Sequence, residues 1–252
     1  MDFNLVQQSY WDTQYKDFKL RILPKDNQLR QWIEEFFKEG QGSCFEVGCF
    51  PGGYLAVFGD LGYNLNGIDL TPRVETDLPE WLKTQGYKVG KFHKGDFLNY
   101  DNKGIKYDIV CSFGFIEHFN NWERILVKQA HLVKDGGYLV VSAPNFRGFF
   151  QRMIHFIFDK ENYERHYIPS MNPKMWAIET EKLDFETKYS GYFGSFDFWL
   201  DKPERNVFRK ILLKGLRCLS PVLKRLPKDQ MAYSPYCGLI AQKSIQKKDD
   251  PL

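Results

Sequence analysis

Two acidic residues and a glycine turn stand where two apolar runs of the sequence end. Glu46 closes the first run, Gly48 and Gly52 follow it, and Asp69 closes the second run. Glycine lets the backbone turn tightly and approach a ligand, because it carries no Cβ. A carboxylate at the end of the second strand of a parallel sheet can accept hydrogen bonds from both hydroxyls of a ribose. The spacing therefore predicts a strand–turn–helix–strand unit that binds a nucleoside.

A third acidic residue extends this pattern. Asp96 follows a third apolar run and precedes Phe97. The carboxylate can accept a hydrogen bond from an exocyclic amino group such as adenine N6, and the aromatic ring can pack on the face of the purine. The pattern therefore favours adenine as the base.

The glycine loop distinguishes two cofactors that contain adenosine. It reads Gly-x-x-x-Gly-Gly over residues 48–53. It lacks the Gly-x-Gly-x-x-Gly spacing that brings a pyrophosphate onto a helix N-terminus. Glu46 would repel a pyrophosphate, whereas it can hold the amino group of a methionine moiety, directly or through water. The loop therefore favours S-adenosylmethionine over a dinucleotide.

Alternating strands and helices are needed to position these residues. Apolar runs of strand length alternate with helical patterns, which predicts βαβ units and a parallel sheet. Ligands bind such sheets outside the carboxyl ends of the strands, where the three acidic residues fall. The predicted fold class is α/β, a Rossmann-like doubly wound sheet in a three-layer α/β/α sandwich. The predicted strands are Ser43–Val47, Leu65–Asp69, Tyr87–His93, Tyr107–Ser112, Tyr138–Ser142, Leu183–Tyr192 and Tyr236–Gln242.

One domain, 1–252, is predicted to contain all of these elements. Its parts are an N-terminal helical cover (1–40), a cofactor-binding core (41–145), an acceptor-site cover (146–235) and the last strand (236–243). The predicted helices are one around Leu29–Phe37, then Tyr54–Leu61, Pro79–Gln85, Trp122–Val133, Phe146–Phe158 and Lys174–Glu181. Glu161–Pro173 is predicted as a loop, and 194–232 as irregular and then helical.

The composition is that of a globular protein, with 43% hydrophobic and 27% charged residues. The net charge of +3 is too small to indicate nucleic acid by itself. The five cysteines form no Cys-x-x-Cys pair, which favours reduced thiols in a cytoplasmic protein. The N-terminus lacks a signal-peptide pattern, and no apolar run approaches about 20 residues.

Several motifs in register resemble the class I S-adenosylmethionine-dependent methyltransferases, in particular a small-molecule branch with a Glu-His motif after the fourth strand. They are Phe45–Gly53, Gly67–Leu70, Gly95–Phe97, Tyr107–Ser112, Phe115–Phe119 and Leu132–Leu139, within about residues 40–145. The resemblance implies a seven-stranded, mostly parallel sheet with an antiparallel last strand. It also implies that Leu70, Ser112 and Phe113 bind the cofactor. The family usually has a glycine where this chain has Phe50, so the loop is expected to take another course, with Phe50 crowding or covering the cofactor.

Two histidines are candidates for removing a proton from a methyl acceptor, a step that a hydroxyl acceptor needs. His118 follows the fourth strand, and its ordinary pKa is near neutral. His166 lies in a segment expected to overhang the site. A structural role remains open for each: Glu117 and His118 would cap the next turn or hydrogen-bond the backbone, and His166 would lie in a solvated loop. Related enzymes bind a metal through Glu-x-x-Glu-His, but the first position here is Gly114, so no metal is predicted.

Two other segments carry possible partners. Residues 205–226 contain seven basic and no acidic residues, with apolar positions on one helical face. They are interpreted as a solvated cover helix, or as peripheral contact with anionic lipid or a lipid-linked substrate. No nucleic-acid partner is predicted, because no RNA-binding module accompanies the segment. Tyr10, Trp11 and Tyr15 are interpreted as a lid over the cofactor, or as packing on the sheet edge.

The resulting hypothesis is methyl transfer from S-adenosylmethionine to a hydroxyl, or an amine, of a small or lipid-linked metabolite. The resemblance suggests sugars as one acceptor class. The alternatives are an NAD-type oxidoreductase and a catalytically inactive binding module of the same fold. The sequence does not determine the oligomeric state.

Overall fold

A seven-stranded sheet forms the centre of the computed structural model, which describes residues 5–200 and 206–245. The strand order is β3-β2-β1-β4-β5-β7-β6, and β7 runs antiparallel to both of its neighbours while the other pairs are parallel. The predicted seven strands and antiparallel last strand are confirmed. The strands are β1 (Ser43–Val47), β2 (Asn64–Asp69), β3 (Val89–Lys94), β4 (Tyr107–Phe113), β5 (Val133–Pro144), β6 (Phe185–Phe193) and β7 (Tyr236–Lys243).

Helices cover both faces of the sheet. They are α1 (Gln8–Tyr15), α2 (Gln28–Phe36), α3 (Gly53–Asp60), α4 (Asp77–Thr84), α5 (Trp122–His131), α6 (Phe149–Phe158), α7 (Lys160–Glu164), α8 (Pro173–Glu181) and α9 (Val207–Leu223). Successive residues of a strand point to opposite faces. Cys44 accordingly packs in one core with α2, α3 and α4, and Phe45 in the other with α5 and α8. The three-layer α/β/α sandwich is confirmed.

The strand order reverses beside β1, whose neighbours are β2 and β4. Connections that leave β1 in opposite directions open a crevice at the carboxyl ends of these strands. Gly48 and Asp69 lie at that edge, so the fold brings these two predicted cofactor-binding residues together. Among the described residues, no helix is long and apolar enough to cross a membrane.

The structure differs from the predicted elements after residue 130. Strand β5 begins at Val133 rather than Tyr138, because Val133 pairs with Tyr107 of β4. Helix α6 begins at Phe149 rather than Phe146. The Asn145 side chain accepts from the backbone N–H of Gly148 at 3.0 Å and thereby forms a turn ahead of the helix. The predicted loop Glu161–Pro173 contains helix α7 and a 3-10 turn, Ile168–Ser170.

Candidate functional site

A first cavity of about 380 Å³ lies at the carboxyl edge of the sheet. It is lined by half of the residues predicted to bind the cofactor, namely Gly48, Asp69, Leu70, Asp96 and Phe97. These residues follow β1, β2 and β3, so the strand ends converge as a parallel sheet requires.

Asp69 is held in place by the backbone. Its Oδ1 accepts from the N–H of Thr71 at 2.9 Å, and its Oδ2 accepts from the N–H of Phe50 at 3.1 Å. Burial raises the pKa of the carboxyl to about 6, although these hydrogen bonds act in the opposite direction. Each carboxylate oxygen keeps a second lone pair, so Asp69 can still accept hydrogen bonds from a ligand in the cavity.

Asp96 and Phe97 form the part of the lining beyond β3. The two Asp96 oxygens accept from the backbone N–H of Leu98 at 2.9 Å and from the Asn99 side chain at 2.8 Å. The buried Phe97 ring meets the Phe115 ring edge to face, with their centroids 6.2 Å apart. This pair of residues offers an acceptor beside an apolar ring, the combination predicted for adenine.

Gly48 cannot carry a side chain without disturbing the cavity. Its φ is +72°, in the region that favours glycine, and a Cβ would lie 2.5 Å from Cδ2 of Phe115. The Phe115 ring itself lines the first cavity. The glycine is therefore needed both for the turn after β1 and for the position of that ring.

Glu46 lies outside the lining of the first cavity. Its side chain is buried, and Oε2 has no hydrogen-bond partner among the described residues. Burial raises the pKa of its carboxyl well above the usual value, and the charge of Asp69 adds to that rise. An ammonium group close to Oε2 would give this atom a partner.

Three other residues predicted to bind the cofactor also lie outside that lining. Ser112 is buried, and its hydroxyl donates to Oε1 of Gln129 on α5 at 3.3 Å. Gly52 caps α3 with a φ of +83°, and a Cβ there would meet Leu78. Phe113 lines a second cavity instead.

Phe50 packs behind the first cavity rather than among its lining residues. Its ring is buried between Tyr15, at a centroid distance of 5.0 Å, and the Arg73 guanidinium, also at 5.0 Å. Its backbone N–H donates to Asp69. In this arrangement Phe50 supports the residues that line the cavity.

Helix α1 contributes three residues to the lining of the first cavity. Gln8, Trp11 and Tyr15 line it, and Arg73 donates to the carbonyl oxygen of Tyr15 at 2.6 Å. The lid interpretation of Trp11 and Tyr15 agrees with these contacts. Sequence reasoning missed Gln8, since a single glutamine in a polar segment gives no signal of its position. Phe115 belongs to the Phe115–Phe119 motif, but the motif gives no signal that its ring lines a cavity.

The second cavity, of about 370 Å³, adjoins the first and shares Trp11, Gly114 and His118 with it. Its aromatic walls come from distant parts of the chain. They are Tyr54, Phe113, Phe146, Trp199 and Tyr236. Its polar lining includes Glu117, His118, Asn162, Arg165 and His166.

The structure brings the two candidate histidines together in this second cavity, with their ring centroids 4.8 Å apart. Nδ1 of His118 is 3.3 Å from the carbonyl oxygen of Arg165, and Nδ1 of His166 is 2.5 Å from that of Asn162. A carbonyl oxygen only accepts, so each Nδ1 carries the proton and each Nε2 keeps a free lone pair. Burial lowers the pKa of His118 to about 4 and that of His166 to about 2, so both rings are neutral at pH 7.

One cationic side chain of the described residues lines the second cavity, that of Arg165, and its Nη1 lies 4.0 Å from Oε1 of the exposed Glu161. Burial raises the pKa of Glu117 to about 8, which favours its neutral form. The Arg165 guanidinium lies 4.2 Å from the centroid of the Tyr10 ring and donates to Oδ1 of Asn162 at 2.9 Å. It is the permanent charge among the lining residues that the structure describes.

Glu117, His118 and His166 could also act as metal ligands. One donor atom from each lies within 4.8 Å of the others. Oε2 of Glu117 is buried and has no hydrogen-bond partner within the described part of the chain. The sequence did not indicate this cluster, because His166 lies far from the Glu-His pair along the chain.

Comparison with known proteins identifies the family to which the chain is similar. A family model described as a methyltransferase domain matches residues 13–188. No curated protein matches the chain significantly. The chain is similar to a solved SAM-dependent methyltransferase from Archaeoglobus fulgidus, at 19% identity and a TM-score of 0.55, covering 85% of this chain and 93% of that one. It is also similar to the magnesium protoporphyrin IX methyltransferase of Synechocystis PCC 6803 with bound SAH, at 15% identity and a TM-score of 0.56, covering 94% and 93%.

Proposed function

The chain belongs to the methyltransferase domain family, and from this premise we propose that it methylates a hydroxyl, or an amine, of a small or lipid-linked metabolite with S-adenosylmethionine as donor. A sugar is one such acceptor. The observation that carries the proposal is the pair of adjoining cavities that share Trp11, Gly114 and His118. One cavity has the lining predicted for adenosine, and the other holds the candidate proton acceptors.

The residues of the first cavity fit S-adenosylmethionine. Asp69 would accept from the ribose hydroxyls, Asp96 from the adenine amino group, and Phe97 would pack on the purine. Outside that lining, the buried Oε2 of Glu46 has no hydrogen-bond partner among the described residues and would bind the methionine ammonium group, directly or through water. When bound, S-adenosylmethionine supplies a methyl group already activated by the positive sulfur. The protein therefore has to align the acceptor and exclude water.

His118 and His166 would orient the acceptor and take its proton. Each neutral ring presents Nε2 as a hydrogen-bond acceptor, because the backbone holds the proton on Nδ1. A base of low pKa can still take this proton, because the hydroxyl oxygen becomes strongly acidic as it gains the methyl group. His118 lines both cavities, so we propose that Nε2 of His118 takes the proton of the acceptor. We assign to His166 the contact that orients the acceptor.

The charge of the second cavity favours an acceptor that carries a negative group. Arg165 is the cationic group of this lining, whereas Glu117 and both histidines are neutral near pH 7. A phosphate or carboxylate on the acceptor would pair with this guanidinium. A lipid-linked sugar phosphate is one acceptor with that chemistry.

We propose that the enzyme works in the cytoplasm, as the sequence predicts. All five cysteines are free in the structure, and Cys218 is exposed. An exposed free thiol suits a reducing compartment.

The reaction is proposed to need no metal ion, despite the three donor groups near one another. Burial is the main cause of the low pKa of both histidines, and the charge of Arg165 lowers it further. The same guanidinium would repel a divalent cation held by these rings. Dialysis against EDTA is therefore expected to leave methyl transfer unchanged. Loss of activity that Zn²⁺ or Mg²⁺ restores would contradict this, as would one tightly bound metal ion per chain in the purified enzyme by mass spectrometry.

Cofactor affinity is expected to rise with pH around pH 6. Ribose hydroxyls bind a carboxylate anion more strongly than the neutral acid, so binding stabilises the charged form of Asp69. Because the pKa of Asp69 in the free protein is about 6, the affinity is complete above about pH 7 and falls as the pH drops through 6. The affinity for S-adenosylhomocysteine should fall about fivefold between pH 8 and pH 5 in calorimetric titrations. The Asp69→Asn variant should bind more weakly and without this pH dependence; an equal dependence in the variant would assign it to another group.

Calorimetric titration with S-adenosylhomocysteine and, separately, with NAD⁺ tests the proposed function. Micromolar binding of S-adenosylhomocysteine and no binding of NAD⁺ supports it. Binding of NAD⁺ alone would favour the oxidoreductase alternative. Binding of neither would favour an inactive module of the same fold.

A further inference from the structure

Helix α9 exposes an unusual amount of apolar surface. Leu213 is the buried residue among its described positions, and Phe208 is 77% exposed. Apolar side chains of this size are usually covered in a soluble domain unless they meet a partner. The other large apolar residues exposed on the helix are Val207, Ile211, Leu212, Leu219 and Val222.

The side chains of α9 divide into three sectors when placed at about 100° per residue. Leu213, Leu216, Ser220 and Leu223 form the edge that is buried or half-buried against the protein. The exposed apolar residues from Phe208 to Val222 occupy the next sector, about 100° wide. Lys210, Lys214, Arg217 and Lys224 follow on the far side of that sector. The apolar stripe therefore lies beside the buried edge of the helix and is exposed, with the basic residues on its other side.

Helix α6 presents a second exposed apolar face. It consists of Phe149, Met153, Phe156 and Ile157. The opposite face of α6 packs toward the second cavity, where the His155 ring lies 4.2 Å from that of Phe146, a lining residue. Asp197 contacts α6 and the residue that follows α9. Its carbonyl oxygen accepts from Gln151 of α6 at 2.6 Å, and its carboxylate lies 3.9 Å from Nζ of Lys224, just after α9.

The charge of α9 determines which partner fits the stripe. Residues 206–226 contain six basic and no acidic side chains. A second copy of the helix would bring like charges together, which is unfavourable. An anionic bilayer surface supplies both an apolar layer for the stripe and negative headgroups for the basic flank.

We propose that the exposed faces of α9 and α6 dock on an anionic membrane surface and thereby bring the second cavity to a lipid-linked acceptor. The docking itself stands on the exposed faces and their charge. The identity of the acceptor rests on the proposed methyltransferase function. Arg205, predicted as part of the basic segment, lies outside the described residues.

Sedimentation with vesicles tests the docking on the full chain. Vesicles of equal parts phosphatidylglycerol and phosphatidylcholine should bind the protein, and phosphatidylcholine alone should bind it at least about tenfold more weakly. The triple variant Phe208→Ser, Ile211→Ser, Leu219→Ser should lose at least about tenfold in affinity for the anionic vesicles, because it removes the apolar contact. Charge reversal at Lys210, Lys214 and Arg217 to Glu should do the same. Ile178→Ser, at an exposed apolar position of α8, is the matched control and should bind normally.

Three results would overturn the proposal. The first is failure of the wild-type chain to bind anionic vesicles in about 0.1 M salt, and the second is normal binding by both triple variants. The third is a wild-type protein that does not bind vesicles and is a dimer by analytical ultracentrifugation, together with a Phe208 triple variant that is a monomer. Titration of the same samples with S-adenosylhomocysteine separates the two claims. If the wild-type chain binds S-adenosylhomocysteine but not vesicles, only the docking proposal is rejected. If the wild-type chain does not bind S-adenosylhomocysteine, the proposed function is rejected.

Discussion

Replacing His118 with asparagine lowers methyl transfer by about 10²–10⁴-fold while S-adenosylhomocysteine still binds. Asparagine can keep the hydrogen bond from the Nδ1 position to the carbonyl oxygen of Arg165, which is 3.3 Å long in the structure. It cannot replace Nε2, to which we assign the proton of the acceptor. The measured quantity is transfer of tritium from methyl-labelled S-adenosylmethionine to a protein-free cell extract that supplies the acceptor.

Two further variants test whether the loss of methyl transfer is specific to His118. His131→Asn places the same substitution at an exposed residue in the last turn of α5 and should transfer at the wild-type rate. His166→Asn should raise KM more than it lowers kcat, because we assign His166 an orienting contact. Wild-type turnover by the His118→Asn variant would show that the reaction needs no proton acceptor at this position.

Replacing Gly48 with alanine should weaken the binding of S-adenosylhomocysteine by about tenfold to a hundredfold. The new Cβ would lie 2.5 Å from the Phe115 ring, which would have to move within the first cavity. A residue other than glycine that is held at positive φ adds backbone strain of about 1–3 kcal/mol. The measurement is calorimetric titration, with the thermal midpoint recorded for both proteins.

Gly86 provides a matched control for the conformational part of this effect. Its φ is +86°, and a Cβ there would meet nothing within 4 Å. Gly86→Ala should therefore lower the stability through backbone strain and leave cofactor affinity unchanged. If both variants lose affinity equally, the loss at Gly48 reflects general destabilisation rather than the shape of the cavity.

The part of the site that follows the strands could be predicted from the sequence. Gly48, Asp69 and Asp96 each follow an apolar run directly, and parallel strands place their carboxyl ends at one edge. The inward or outward direction of a side chain depends on register and packing, which a short motif does not determine. Ser112 was therefore predicted at the cofactor, whereas its hydroxyl bonds to Gln129 in the interior.

Long-range contacts were the least predictable part. His118 and His166 were each singled out, but their pairing depends on the backbone hydrogen bond of 2.7 Å from the N–H of Tyr167 to the carbonyl oxygen of Glu117. The true start of β5 likewise depends on its partner in β4. The division into a core at 41–145 and an acceptor-site cover at 146–235 stays a prediction. The contributions of Phe146, Arg165 and Trp199 to the second cavity agree with it.

A crystal structure of the complex with S-adenosylhomocysteine would show whether the two cavities serve methyl transfer. We expect the adenine beside Asp96 and Phe97, the ribose on Asp69, and the sulfur beside Trp11, Gly114 and His118, facing the second cavity. A ligand bound elsewhere, or with its sulfur directed away from the second cavity, would rule out this assignment of the cavities.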